Sequence, residues 1–242
     1  MAHGETEHGK RIAREQERVE SEAPPRDQTD RSPIVVVDAC VWHGAFARHV
    51  LRHRALQGLL QGLLQGLLQG LLQGLLQGLL QGLLRLRWTR SIEAEWLRSI
   101  RNARPDIPVS RLLAVREQFR REFPEGLLPE RLPQVRLPAL PDPNDAHVVR
   151  AALQSGASYI CTVDRRGFPR STMKALAITA ITPDLMVANT VQQHTQAALH
   201  ALRTHRLGLS APAMSAIEYV SALRRAGLPQ SARLLKHRIH NL

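Results

Sequence analysis

Residues 34–38, IVVVD, constrain this chain more than any other stretch. Four β-branched residues in a row have no polar face. They predict a strand covered on both sides, as strands of parallel sheets are. A parallel neighbour can be reached only by a crossover, usually a helix. The next residues, ACVWHGAFARHVLRHRAL, supply one, with Trp42, Phe46 and Val50 at helical spacing on one face. A strand that ends in a carboxylate and runs into a helix opens a βα unit. In open parallel sheets, ligands gather outside the carboxyl ends of the strands.

The rest of the chain extends this pattern. LRLRW (84–88) reads as a short strand. SIEAEWLRSIRNA reads as a helix with Ser91 as its N-cap, and VSRLLAVREQFRREF as another capped by Ser110. Residues 124–143 are rich in proline and predict an extended connection. NDAHVVRAALQSG is a helix whose terminal Gly156 suits a left-handed C-cap. ASYICTVD is a second buried strand, RRGFPRS a turn and ALAITAI a third strand. TPDLMVANTVQQHTQAALHALR is one helix with Pro183 in its first turn. EYVSALRRAG and PQSARLLKHRI add two more helices. The expected class is α/β, a parallel sheet flanked by helices, with an all-α C-terminal extension. The expected division is a polar, disordered extension at 1–32, an α/β domain at 33–181 and a helical region at 182–242.

Four carboxylates from four segments fall where that sheet would gather them. Asp38 ends the first strand and Asp164 follows the strand YICTV. Asp145 begins a helix, and Glu95 lies on the helix after Trp88, with Glu93 as a nearby competitor. Taken singly, Asp38 and Asp145 also suit helix N-caps. Asp164 suits a turn, and Glu95 a solvated helix face. Together, like charges a few ångströms apart resist joint ionisation unless a cation joins them. Oxygen-only ligation suits Mg²⁺ or Mn²⁺. Such an ion can activate water for in-line attack at phosphorus. The net charge of +12 points to a polyanionic partner. Arg165, Arg166, Arg170 and Lys174 follow Asp164 closely and are placed to hold phosphates, or else form a solvated basic turn.

At these residues the chain resembles a known family. IVVVDACVW, TRSIEAEW and LPDPNDAHVVRAALQSGASYICTVDRRGFP together look like the PIN-domain family, in its branch of VapC-type ribonuclease toxins. The resemblance spans about residues 33–170, and residues 182–242 resemble the C-terminal helical extension of one branch. It implies that Asp38, Glu95, Asp145 and Asp164 are the metal-binding acidic positions, with Thr162 as the polar catalytic residue beside the last. It also implies a cytoplasmic, Mg²⁺- or Mn²⁺-dependent endoribonuclease blocked by a cognate antitoxin, with a homodimer as a further partner. The alternative is a catalytically impaired PIN-like protein that binds RNA or antitoxin. Asp142, three residues before Asp145, reads as loop structure before Pro143.

Other chemistries find little support. Cys40 and Cys161 are far apart and lack metal-ligand spacing, which argues against a disulfide framework. His49 and His53 are four apart but nothing nearby completes a zinc site, so they read as part of a basic face with Arg48, Arg52 and Arg54. There is no P-loop and no G-x-G-x-x-G. A phosphatase of the D-x-D type would carry a carboxylate at position 40, which is Cys40.

Residues 57–84 repeat QGLL seven times. As one helix the run would extend about 42 Å. Its seven glycines would cost on the order of 7 kcal/mol relative to alanine. A glutamine at every fourth residue argues against a membrane span. Removing six copies leaves RHRALQGLLRLRWTR, a complete helix–turn–strand connection. One copy therefore reads as structural, with its leucines in the core, and six as an insertion at a surface connection that projects as a helix. Deleting six copies is expected to leave metal-dependent nuclease activity intact and improve solubility. A deletion variant that stays folded but loses activity would refute that reading.

Overall fold

A computed structural model describes residues 32–42, 83–129, 135–208 and 214–242. The 1–32 extension (except Ser32), Phe46, the histidines at 49 and 53, and the predicted helix of the repeat lie outside the described residues. The sheet has four strands: β1 (Ile34–Val37), β2 (Arg85–Arg87), β3 (Tyr159–Cys161) and β4 (Thr179–Ile181). Their spatial order is β2-β1-β3-β4, and every pairing is parallel. The helices are α1 (Arg90–Ala103), α2 (Val109–Glu122), α3 (Ala146–Ser155), α4 (Arg170–Ala175), α5 (Pro183–Gln193), α6 (Thr195–Gly208), α7 (Ala216–Arg225) and α8 (Pro229–Lys236).

The missing polar face of IVVVD now has its cause. Val36 packs into a core with Trp88, Ile92, Val148, Val149 and Ile160. Val35 and Val37 point the other way, into a core with Leu86, Cys161, Ile181, Val191, Leu202, Leu223 and Leu235. The C-terminal helices α5 to α8 thus share a core with one face of the sheet, while α1 and α3 serve the other. Leu83 and Leu84, the last two residues of the QGLL run, are each only 8% exposed and belong to the first of these helical cores. The leucines of one copy are core residues, as the shortened connection anticipates.

Several boundaries differ from the sequence reading. Helix α1 is capped by Thr89, not Ser91; the Thr89 hydroxyl accepts the Ile92 N–H at 3.3 Å. Helix α2 starts after Pro108 with no side-chain cap, leaving Ser110 inside the helix. LRLRW is a strand only over Arg85–Arg87, with Trp88 making an isolated bridge to Leu127. ASYICTVD shrinks to Tyr159–Cys161. ALAITAI yields only Thr179–Ile181, because Met173 is drawn into the core on the short helix α4. That helix closes through Ala177, at a positive φ of 54°, before the chain can become extended. TPDLMVANTVQQHTQAALHALR is two helices. His194 leaves helical geometry, and the Thr195 hydroxyl takes the Val191 carbonyl at 2.8 Å. Gly156 does cap α3, at φ 64°.

Another acidic residue is structural. Asp184, buried in α5, accepts the Gln230 and Ser231 N–H groups, each at 2.9 Å, at the start of α8. It satisfies amides that the helix leaves unpaired and ties the last helix to the sheet.

Candidate metal centre

The parallel pairing of β1 and β3 brings two chain crossovers to one edge. Asp38 follows β1, and its N–H still pairs with the Cys161 carbonyl at 3.0 Å. Its side chain is buried, and Oδ2 accepts the Thr162 hydroxyl at 2.8 Å and the Cys40 thiol at 2.9 Å. Among the described residues the Asp38 carboxylate takes no helix N–H, so it is not acting as an N-cap. Thr162 is fully buried, and its oxygen also accepts the Asp164 N–H at 3.0 Å. Burial first, and the charge of Asp38 second, push the Cys40 thiol up to about 12. It therefore stays protonated and donates, while its sulfur accepts the Val163 N–H at 3.3 Å. Cys40 and Thr162 bind the end of β1 to the end of β3 through the Asp38 carboxylate.

Asp164 begins a turn: Oδ1 accepts the N–H groups of Arg166 at 3.0 Å and Gly167 at 3.4 Å. Its other oxygen faces Asp145 across a space that a side chain would fill. A Cβ built on Gly167 would lie 2.4 Å from Asp145 Oδ2 and 3.5 Å from Asp164 Oδ2. Asp145 stands at the N-cap position of α3 yet makes no capping bond with its side chain. Asp142 takes the capping work one turn earlier, accepting the Asn144 N–H at 2.8 Å. The Asp145 carboxyl is pushed up to about 6, first by burial and then by the charges of Asp38, Asp142, Asp164 and Glu95.

Glu95 reaches the same place from α1. Burial is the largest influence raising its carboxyl; His147 and Arg98 pull it back, and Asp38 and Asp142 add to the rise. Glu95 Oε2 lies 3.4 Å from His147 Nε2. Its competitor Glu93 is engaged elsewhere. Buried to 7% exposure, Glu93 pairs with the Arg120 guanidinium and accepts the Trp88 indole N–H at 3.3 Å. It joins α1 to α2 and β2.

As they stand, no three His, Cys, Asp or Glu side chains among the described residues converge to ligand distance. The four carboxylates interact through space without closing on one point, as uncompensated like charges would. Two observations fit a divalent cation to them. The donors are carboxylate oxygens, the choice of hard cations. Gly167 leaves open the space between Asp145 and Asp164.

Arg165, Arg166, Arg170 and Lys174 are all exposed on the segment after Asp164. Among the described residues none of the four is ion-paired. They offer positive charge beside the acidic cluster.

A model of the PIN domain matches residues 34–166. The chain belongs to the PIN-domain family. A second model, described as the VapC50 C-terminal domain, matches residues 183–237. The pair is that of a VapC-type PIN protein with a C-terminal extension. No curated protein and no solved structure matches the chain. All four carboxylates and Thr162 fall within the stretch matched as a PIN domain, while Arg170 and Lys174 lie beyond it. Among the described residues, no helix is long and apolar enough to cross a membrane.

Three residues at this PIN site escaped the sequence reading. Cys40 looked like an isolated thiol; only the β1–β3 pairing puts it on Asp38 and Thr162. Gly167 looked like an ordinary turn glycine, and its open side is visible only against Asp145. His147 stood inside D-x-H-V, and its position two residues after Asp145 was a signal that could have been followed.

Proposed function

We propose that this PIN protein is a metal-dependent endoribonuclease that cleaves RNA phosphodiester bonds, and that it is the toxin of a toxin–antitoxin pair in the cytoplasm. The observation that carries the reading is the state of Asp145. Its carboxyl responds to Asp38, Asp164 and Glu95 together, so residues from four separate segments share one electrostatic site. Mg²⁺ or Mn²⁺ held by Asp38, Glu95, Asp145 and Asp164 would supply an activated water and offset charge on the phosphorane-like transition state.

The chain's own residues prepare that chemistry. Thr162 uses its single hydroxyl proton on Asp38, so its part is to orient a ligand rather than to handle water. Cys40 holds the same carboxylate and keeps the loops after β1 and β3 together. Arg165, Arg166, Arg170 and Lys174 grip phosphates on either side of the scissile bond, positioning RNA without reading its sequence. A cognate antitoxin would silence the enzyme by covering the same edge.

The rival is an RNA-binding or antitoxin-binding protein whose catalysis failed when the repeat expanded. That rival requires the insertion to separate Asp38 from Glu95. The β1–β2 register, Ile34 with Arg85 through Val36 with Arg87, spans the insertion intact. Glu95 feels the charge of Asp38, which supports the enzyme.

The test is incubation of purified protein with total RNA in Mn²⁺, Mg²⁺ or EDTA, beside Asp38→Ala. Cleavage only with metal and only by the parent protein is expected. Cleavage that survives EDTA and the substitution would sink the metal mechanism. Retention of RNA without cleavage in any condition would favour the rival.

A further inference from the structure

His147 occupies an unusual position beside the acidic cluster. Its Nδ1 lies 2.6 Å from the Asn144 carbonyl oxygen. A carbonyl can only accept, so Nδ1 carries a proton and the orientation of the ring is fixed. The opposite nitrogen, Nε2, is buried and makes no hydrogen bond. Its neighbour is Glu95 Oε2 at 3.4 Å, within ion-pair reach but off hydrogen-bond geometry. A small rotation of the Glu95 carboxylate would complete the bond.

The backbone around His147 is rigid. Val148 and Val149, which follow it on α3, are both fully buried. Glu95 is the opposite: its side chain is 49% exposed, on a helix reached only after the insertion. Among the four carboxylates, Asp38 is held by Thr162 and Cys40, and Asp164 by its own turn. Asp145 is confined beside Gly167. Glu95 has no comparable restraint except His147.

We propose that His147 is a positioning residue that fixes the Glu95 carboxylate for the divalent cation, acting from Asn144 through the imidazole ring. The ring touches neither substrate nor reacting atoms. It converts a mobile carboxylate on α1 into a preset ligand on the α3 side of the site. Partners of this kind, one step removed from the ion, typically change metal affinity by about 10- to 100-fold. The inference rests on the metal-site reading above.

The experiment is Mn²⁺ binding to the full chain, read by the loss of the free-ion paramagnetic resonance signal. The proteins are the parent, His147→Ala, His147→Gln, Glu95→Gln, the Glu95→Gln/His147→Ala double variant and Asp38→Asn. His147→Ala is expected to weaken binding about 10-fold or more. His147→Gln, which can still donate to Glu95, is expected to restore part of the loss. In the Glu95→Gln background, His147→Ala is expected to add nothing, because its partner is gone. Unchanged binding in His147→Ala overturns the proposal. So does an equal loss with and without Glu95, which would mean that the ring acts on the fold or on another ligand. Mn²⁺ binding that is unchanged in Asp38→Asn would instead overturn the metal site itself, and this inference with it.

Discussion

Thr162 donates its hydroxyl proton to Asp38 Oδ2 at 2.8 Å, joining residues 124 positions apart. The same oxygen accepts the Asp164 N–H, so one buried hydroxyl sets both the first and the last carboxylate of the site. Thr162→Val keeps the volume and removes both bonds, leaving the Asp164 amide unpaired. The expected result is a stability loss of about 1–3 kcal/mol and a loss of Mn²⁺ affinity of about tenfold or more. Thr162→Ser should retain both properties. Calorimetric Mn²⁺ titration and thermal unfolding of the two variants check this.

Asp145 makes the metal-free protein sensitive to pH. Its folded-state carboxyl is raised to about 6 from an ordinary 3.8. Between those values the folded protein holds the proton more tightly than the unfolded chain does. The contribution of Asp145 to stability is therefore greatest below the ordinary value and is lost as pH rises through about 6. Above that range the folded state carries the full repulsion of the cluster. Asp145→Asn should unfold at higher temperature than the parent at pH 7.5 in EDTA. Partial exposure reduces the effect, so a gain of about 2–4 °C is expected, the response to roughly 1 kcal/mol in a chain this size. The same variant should lose the stabilisation that Mn²⁺ gives the parent.

Gly167 is open toward Asp145 because a methyl group there would sit 2.4 Å from Oδ2. Gly167→Ala must displace a carboxylate, and a side-chain end moves more cheaply than backbone. The expected outcome is a folded protein whose melting temperature in EDTA is close to that of the parent. Its Mn²⁺ affinity should fall by about tenfold or more. Circular dichroism paired with metal titration separates the two effects.

Glu93 and Glu95 are one helical step apart and should fail in different ways. Glu93→Ala removes the partner of Arg120 and the acceptor of the Trp88 indole. Breaking such a pair costs about 3 kcal/mol when it is well buried, and somewhat less here because Arg120 is partly exposed. Glu95→Ala should leave unfolding within about 0.5 kcal/mol of the parent while abolishing metal-dependent cleavage. Denaturant unfolding and RNA cleavage measured on both variants decide the assignment.

Much of the site was legible because it follows from the sheet. IVVVD had to be covered on both faces, so it had to be a central strand, and its terminal carboxylate had to lie at the ligand-binding edge. Asp164 followed from the next buried strand, YICTV. Glu95 could be separated from Glu93 only in three dimensions, since both stand on α1 and their difference is the position of Arg120. Capping was misread at Ser91 and Ser110 because a serine suits an N-cap wherever the backbone turns helical nearby. Thr89 and Pro108 stood closer to where the chain leaves the strand and the loop. ALAITAI looked extended, yet the burial of Met173 on α4 outweighed local preference. Cys40, Gly167 and His147 carry no periodic signal at all; each acquires its role from a residue on another element. The fate of the QGLL run was legible at its end, where Leu83 and Leu84 enter the core.

The central claim is that carboxylates from four segments hold one cation, and crystals grown with Mn²⁺ test it most directly through anomalous scattering. The expected result is a Mn²⁺ peak in the space opened by Gly167, with oxygens of Asp38, Asp145 and at least one of Glu95 and Asp164 at about 2.0–2.3 Å or one bridging water away. A fully occupied peak elsewhere on the protein, or no peak at millimolar Mn²⁺, would contradict it.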